Sequence, residues 1–312
     1  MIDPRPVAAD LGYASGWRIV RNLPEPAATR AFREIADRSW RADGKSVQRM
    51  RGNYRQVVGP EMSADELDDL VREGMRSYMR YWCEVFRLPN AKAEDVKRNI
   101  ITHDVDNLLG PLRSGRPVVA VLPHSANWDL IGLWFTQNHR PLTTVAERLK
   151  PESLFDRFVA YRESLGMEVL AHTGRNDLYP RLMAAGREGR LIALLADRDL
   201  TAHGIPVTFM DAGTSMPAGP AALAVDTGAI IVPIELWYDD GATMHFKPAL
   251  PFDAPSDGDR KERIAAATQQ MADNFTVIVR RHPADWHMLS RMWSDVPPLS
   301  RADARAAVDP RG

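Results

Sequence analysis

His124 and Asp129 are the residues of this chain whose types and spacing are best suited to chemistry. They lie in a polar stretch that follows the apolar run Val118–Leu122 and precedes a helix-like segment from Trp128. A short β-branched run, a turn and a helix place both side chains at the carboxyl end of a strand, where open α/β sheets bind their ligands. Residues five apart on one helix point about 140° away from each other, so His124 can meet Asp129 only from a turn before the helix.

The chain offers a histidine base but no evident protein nucleophile. It contains no Gly-x-Ser-x-Gly elbow, and its single cysteine, Cys83, falls on an apolar helical face where packing is the favoured role. We therefore predict that His124 is a general base acting on a substrate hydroxyl, and that Asp129 fixes which ring nitrogen accepts the proton. The alternative is a buried histidine that bonds a nearby carbonyl group.

Further charged residues follow other strands of the same predicted sheet. Glu147 comes after the second strand, and Asp197 and Arg198 follow the apolar run from Leu191 to Ala196. Arg162 shares a helical face with two phenylalanines, a combination that suits a phosphate or an acyl ester. An exposed salt bridge is the alternative for this arginine.

Composition excludes several classes of protein. The chain has 312 residues, of which 45% are hydrophobic and 26% charged, as in ordinary globular proteins. One cysteine rules out an internal disulfide framework, and the eight histidines show no metal-binding spacing. We expect no secretory leader, because the first ten residues hold no apolar stretch. The longest apolar runs are far shorter than the roughly 20 residues that span a bilayer. We expect a cytosolic or peripherally bound protein.

Charge is unevenly distributed along the chain. The net charge is −1, yet the segment from Arg5 to Arg55 holds eleven Arg/Lys against five Asp/Glu. A basic segment on an otherwise acidic protein favours an anionic surface as partner. Solvated helix faces are the alternative.

The order of predicted elements indicates an α/β fold with a mostly parallel central sheet flanked by helices. Residues 1–100 have helical patterns, including a helix that begins at a capping box from Ser63. Strands and helices alternate from about Arg116, and a short helix is expected from Ala284 to Trp293. We divide the chain into an N-terminal helical, membrane-associating segment (1–100), an α/β core with C-terminal helices (101–296) and a flexible tail (297–312).

Five motifs, taken in order, resemble those of the lysophospholipid acyltransferase superfamily, in its branch of bacterial lipid A biosynthesis acyltransferases. The resemblance runs from about Leu11 to Trp293, nearly the whole chain. The motifs are His124-x4-Asp129; Phe155 to Arg162 with Gly166; Asp197-Arg198-Asp199 with Ile205 to Phe209; Met216 to Pro220 with Thr227 to Ala229 and Val232 to Ile234; and His282 to Met288.

The resemblance implies a glycerol-3-phosphate acyltransferase-like fold and transfer of a fatty acyl chain from coenzyme A. Four stretches (11–18, 144–154, 161–166 and 283–289) are similar in sequence to those of mycobacterial enzymes that acylate phosphatidylinositol mannoside. This similarity implies palmitoyl-CoA as co-substrate, the 6-hydroxyl of a mannose as acceptor and no tightly bound cofactor. It also implies a peripheral protein on the anionic, cytoplasmic face of the plasma membrane, without a nucleic-acid partner.

The resemblance also implies roles for particular residues. Three residues match catalytic positions: His124, Asp129 and Asp197. Three others match substrate-binding positions: Glu147, Arg162 and Arg198. The mycobacterial enzymes that this chain resembles have glutamate at the position of Asp197. Aspartate is one methylene shorter, which leaves open whether Asp129 or Asp197 contacts His124.

Two other functions remain open from the sequence. The same fold serves acyltransferases with other acceptors, such as a lysophospholipid or another glycolipid. A catalytically dead lipid-binding or membrane-scaffold protein is the rival from a different class, and the complete His124/Asp129 pair argues against it.

Overall fold

The computed structural model describes residues 19–139, 141–147, 152–172, 177–199, 203–239, 241 and 243–308. Its first long helices are α1 (Glu25–Ala42), α2 (Lys45–Val58) and α3 (Ala64–Arg87). The predicted capping box begins α3: Ser63 Oγ accepts the backbone N–H of Glu66 at 3.2 Å, and the Glu66 carboxylate accepts that of Ser63 at 3.0 Å. No helix in the described part of the chain has both the length and the apolar character needed to cross a bilayer.

A seven-stranded sheet lies at the centre of the fold, in the order β1-β9-β8-β2-β5-β3-β4. The five strands from β8 to β4 are parallel, whereas β9 runs antiparallel to β8 and β1 runs parallel to β9. The predicted α/β class with a mostly parallel sheet is therefore confirmed. The sheet strands are β1 (Ile100–Thr102), β2 (Val118–Leu122), β3 (Leu142–Glu147), β4 (Met167–His172), β5 (Leu191–Leu195), β8 (Ile230–Tyr238) and β9 (Met244–Pro248), and a separate antiparallel hairpin is formed by β6 (Ile205–Phe209) and β7 (Ala212–Met216).

Helices flank this sheet on both faces. After α3, the described helices are α4 (Ala93–Arg98), α5 (Asp106–Arg113), α6 (Trp128–Asn138), α7 (Glu152–Ser164), α8 (Leu178–Arg187), α9 (Gly219–Thr227), α10 (Arg260–Arg281) and α11 (Arg301–Val308), with short 3₁₀ turns at Leu88–Asn90 and Pro283–Asp285.

Strand β2 is buried on both faces, as expected of a central parallel strand. Its side chains alternate between two apolar cores: Val119 and Val121 enter one, and Ala120 and Leu122 the other. Helix α3 contributes to both cores, because its first half packs with the former and its second half with the latter. The N-terminal helices therefore pack directly against the α/β core.

Two expectations about the C-terminal part differ from the structure. The helix expected over residues 284–293 is wrong: a single 3₁₀ turn is followed by a loop whose backbone bonds the turn after β2. The segment expected to be a flexible tail contains α11, and Arg301 Nε bonds Asp68 at 2.8 Å. Fully buried Arg51 bonds the carbonyl of Leu299 at 3.0 Å, which holds this segment on α2. The domain boundaries themselves stay a prediction.

Candidate active site

His124 lies in a tight turn between β2 and α6, as its spacing predicted. The helix begins after Asn127, whose side-chain oxygen accepts the backbone N–H of Leu130 at 2.9 Å. Ala126 has φ 48°, a left-handed conformation that a non-glycine residue adopts only when its surroundings impose it. A cap and a sharp bend of this kind lift the imidazole to the carboxyl edge of the sheet.

Asp197 is the acid that contacts His124. Nδ1 of His124 lies 2.5 Å from Asp197 Oδ1, and the backbone N–H of His124 donates to Oδ2 at 2.9 Å. The contact follows from strand order, because β2 and β5 are parallel neighbours with Leu122 opposite Leu195, and both residues lie two positions beyond those strand ends. The side chain of His124 keeps 24% of its exposure while Asp197 has none, so Nε2 is the ring nitrogen left to accept a substrate proton.

The carboxylate of Asp197 is charged although it is fully buried. Burial by itself raises the pKa of Asp197, but the charge of His124 and the hydrogen bonds from His124 and Trp286 outweigh it. The pKa of this carboxyl therefore lies below its ordinary value. A fixed negative charge behind an imidazole stabilises the imidazolium that forms when the ring accepts a proton.

Asp129 is not in contact with His124 but bonds Arg162. Arg162 Nε donates to Asp129 Oδ1 at 2.6 Å and Nη2 donates to Oδ2 at 3.3 Å, while Tyr81 Oη donates to Oδ2 at 3.0 Å. Burial alone lowers the pKa of Arg162, but the charge of Asp129 more than offsets it and the pKa lies above its ordinary value. The expectation that Asp129 sets the tautomer of His124 is therefore corrected: Asp197 occupies that position, and Asp129 anchors an arginine.

The two remaining predicted residues lie at the same sheet edge. Glu147 ends β3, but its side chain falls outside the described part of the chain. Arg198 follows Asp197, and its Nη1 donates to Ser290 Oγ at 3.1 Å, so this arginine contacts the C-terminal loop.

Trp128 contacts both the imidazole of His124 and an apolar cavity. Trp128 meets His124 edge-on, with ring centroids 5.6 Å apart, and stacks on Tyr81 at 4.3 Å. Trp128, Asp129 and Arg162 all line the cavity, which encloses about 650 Å³ of space with its open mouth included. Most other lining side chains are aliphatic or aromatic and come from the sheet and α6. At the Gly132 position a Cβ atom would lie 2.2 Å from Met167 Cε, so α6 packs closely there.

Sequence reasoning missed two residues that complete this arrangement. Tyr81 is 48 positions from Asp129, and no local pattern marks it as a partner. Trp286 belongs to the C-terminal motif, which gave its position but not its contact: its indole Nε1 donates to Asp197 Oδ2 at 2.8 Å. The motif by itself does not indicate that Trp286 bonds Asp197, because that contact depends on the fold.

Comparison with known proteins agrees with this geometry. The chain matches the family described as bacterial lipid A biosynthesis acyltransferase over residues 6–295. It is 46% identical over 287 residues to a phosphatidylinositol mannoside acyltransferase of Mycolicibacterium smegmatis, covering 91% of each chain. It is 42% identical over 313 residues to phosphatidylinositol mannoside acyltransferases of two Mycobacterium tuberculosis strains, covering 97% of this chain and 96% of each relative. The resemblance inferred from the motifs is thereby confirmed: the chain belongs to the bacterial lipid A biosynthesis acyltransferase family and is an acyltransferase.

Proposed function

We propose that this protein transfers a long acyl chain, palmitoyl in particular, from acyl-CoA to the 6-hydroxyl of a mannose on phosphatidylinositol mannoside. The observation that carries the reaction type is an imidazole bonded through Nδ1 to a buried carboxylate, beside an apolar cavity. The relatives that are 42–46% identical over most of the chain are phosphatidylinositol mannoside acyltransferases, which supports this acceptor.

His124 is the general base of this reaction. Its Nε2 takes the proton of the acceptor hydroxyl while that oxygen attacks the thioester carbonyl carbon. The carbon–sulfur bond then breaks, and the leaving thiolate of coenzyme A takes the proton back from the imidazolium. Asp197 holds the ring and stabilises its charged form, so the step needs no acyl-enzyme.

The cavity and Arg162 bind the donor in this proposal. The mostly apolar lining of this cavity suits an alkyl chain. Arg162 faces the same cavity and is held by Asp129 through Nε and Nη2, so its Nη1 is left to bond the thioester carbonyl or a coenzyme phosphate. Glu147 and Arg198 complete the substrate-binding set, and acyl-CoA is a co-substrate; no tightly bound cofactor takes part.

The basic N-terminal segment docks the enzyme on the anionic, cytoplasmic face of the plasma membrane, where donor and glycolipid acceptor meet. Helix α1 exposes Arg30, Arg33, Arg38 and Arg41, and Ile35 keeps 43% of its exposure beside them. Arginines attract anionic headgroups, and an exposed isoleucine adds apolar contact at the interface.

The test is acyl transfer by purified protein supplied with palmitoyl-CoA and phosphatidylinositol mannoside. His124→Ala is expected to lose about 10²–10⁴-fold in turnover, because no other group replaces the base. His139→Ala is the matched control, since this histidine is exposed at the far end of α6. Mass spectrometry of the product identifies the acyl chain, and NMR identifies the acylated hydroxyl.

Three outcomes would contradict the proposal at different levels. Near-normal turnover by His124→Ala excludes the base. Transfer to a lysophospholipid but not to phosphatidylinositol mannoside excludes the acceptor. Binding of acyl-CoA without turnover on any acceptor identifies a lipid-binding protein instead of an enzyme.

A further inference from the structure

The loop after the 3₁₀ turn Pro283–Asp285 crosses directly over the turn that carries His124. The backbone N–H of His287 donates to the carbonyl of His124 at 2.7 Å, and the N–H of Ala126 donates to the carbonyl of Asp285 at 3.0 Å. Ser125 and Trp286 form an antiparallel bridge between these contacts. Two segments that are about 160 residues apart are thus joined like neighbouring strands.

Trp286 occupies the centre of this junction. It is fully buried, and its indole N–H donates to Oδ2 of Asp197 at 2.8 Å. The same oxygen accepts the backbone N–H of His124 at 2.9 Å, while Oδ1 faces Nδ1 of the imidazole. The carboxylate is therefore held at both oxygens, and only one orientation satisfies all three donors.

The N-terminal helices hold the loop in place from the other side. The Asn53 amide of α2 donates to the carbonyls of Met288 at 2.9 Å and Ser290 at 2.8 Å. Tyr54 Oη donates to the carbonyl of Trp286 at 2.9 Å. Because these donors are buried and bond the backbone, the position of the indole depends on α2 and not on the loop alone.

We propose that Trp286 is a positioning residue for the acyl transfer: its indole N–H fixes the carboxylate of Asp197 so that one oxygen stays aimed at Nδ1 of His124. This inference rests on the proposed role of His124 as the base. Trp286 does not touch the substrate; it acts through Asp197.

Removal of this donor changes the charge balance in a definite direction. A hydrogen bond stabilises the negative charge of a carboxylate. When Asp197 loses the bond from the indole, its charge attracts the protonated imidazole of His124 more strongly. The base is then blocked at a higher pH than in the parent protein. Among the described residues, other charged or titratable groups lie around the His124–Asp197 pair, and removal of the N–H alone is expected to leave them in place. They are Asp285 in the 3₁₀ turn, His287 in the loop, Arg198 after β5, Tyr54 of α2, Tyr81 of α3, and Asp129 and Arg162 on α6 and α7.

The test compares Trp286→Phe with Trp293→Phe in the full-length protein. Trp293 is also buried, packs 6.2 Å from Trp286 and donates its Nε1 hydrogen to a backbone carbonyl, that of Phe209, at 3.2 Å. Trp286→Phe is expected to lower kcat by about 10- to 100-fold, the range that a hydrogen bond to a charged group is worth, with KM for palmitoyl-CoA unchanged. The acid limb of its kcat–pH profile is expected to move to higher pH. Trp293→Phe is expected to lose stability but to keep the kcat and the pH profile of the parent.

A second variant covers the case in which Trp286→Phe does not fold. Incorporation of 3-benzothienylalanine at position 286 keeps the size and shape of the indole and removes only the N–H donor. The same drop in kcat and the same shift of the acid limb are expected.

The inference is overturned if either Trp286 variant keeps the parent kcat and pH profile, or if Trp293→Phe shows the same changes. His124→Ala is assayed in parallel to separate the two proposals. Normal turnover by His124→Ala refutes the base itself. An inactive His124→Ala together with an unchanged Trp286 variant refutes only the positioning role.

Discussion

Asp129 and Asp197 are two buried carboxylates at one edge of the sheet, yet they have different partners. Asp129 bonds a guanidinium and a phenol, whereas Asp197 bonds an imidazole, an indole and a backbone amide. The acid five positions from His124 anchors Arg162, and the acid 73 positions away contacts the ring. Closeness in sequence is thus a poor predictor of which residues form a hydrogen bond when one residue lies in a helix and the other in the preceding turn.

The sharpest way to test this difference is Asp197→Asn. A neutral amide no longer stabilises the imidazolium and favours the wrong tautomer, so turnover is expected to fall by about 10⁴-fold, as when the acid of a serine protease triad becomes an amide. Single-turnover measurements with palmitoyl-CoA separate this loss from any change in binding. A loss of less than tenfold would make Asp197 a structural acid and would remove the distinction from Asp129.

Asp129→Leu tests the other carboxylate, and a loss of stability is expected. It leaves Arg162 buried and unpaired, which typically lowers the free energy of unfolding by about 3–5 kcal/mol. Asp129→Leu combined with Arg162→Leu is expected to recover most of that stability in urea denaturation, without recovering normal acyl transfer. The exposed pair between Arg113 and Asp106, 2.6 Å apart, provides the control, since Asp106→Asn should leave unfolding unchanged. If the double variant is no more stable than the single one, Asp129 contributes more than an anchor for Arg162.

His287 gives the smallest effect and tests the loop that supports Asp197. Burial lowers its pKa to about 3, so the unfolded chain binds a proton that the folded chain excludes. Stability should therefore fall as the pH drops below about 6.5, by about 2 kcal/mol at pH 5 relative to pH 7. His287→Gln is expected to flatten that dependence, which urea denaturation at several pH values measures. Parallel curves for the parent and the variant would show that His287 is protonated equally in both states.

Local elements were predictable because their signals are local. The apolar run before His124 and the small polar cap at Asn127 fall within a few residues of each other, and the predicted helix begins at Trp128, as observed. The capping box of α3 was recognised for the same reason. The region from Ala284 to Trp293 was predicted as a helix but is a loop after a 3₁₀ turn, because its backbone bonds the turn that holds His124.

The amino-acid sequence by itself determined the strand, the turn and the imidazole at the sheet edge, because backbone propensity and a continuous apolar run act over a few residues. It also determined the family, because motifs in a fixed order identify relatives. Only the tertiary structure decided which acid serves His124. That choice depends on β2 and β5 being neighbours in the sheet, although two other strands separate them in the chain. It also depends on α2 and α3, which hydrogen-bond the C-terminal segment that packs at the ends of these strands. Strand order and long-range packing are set by the whole core, so no short stretch of residues encodes them.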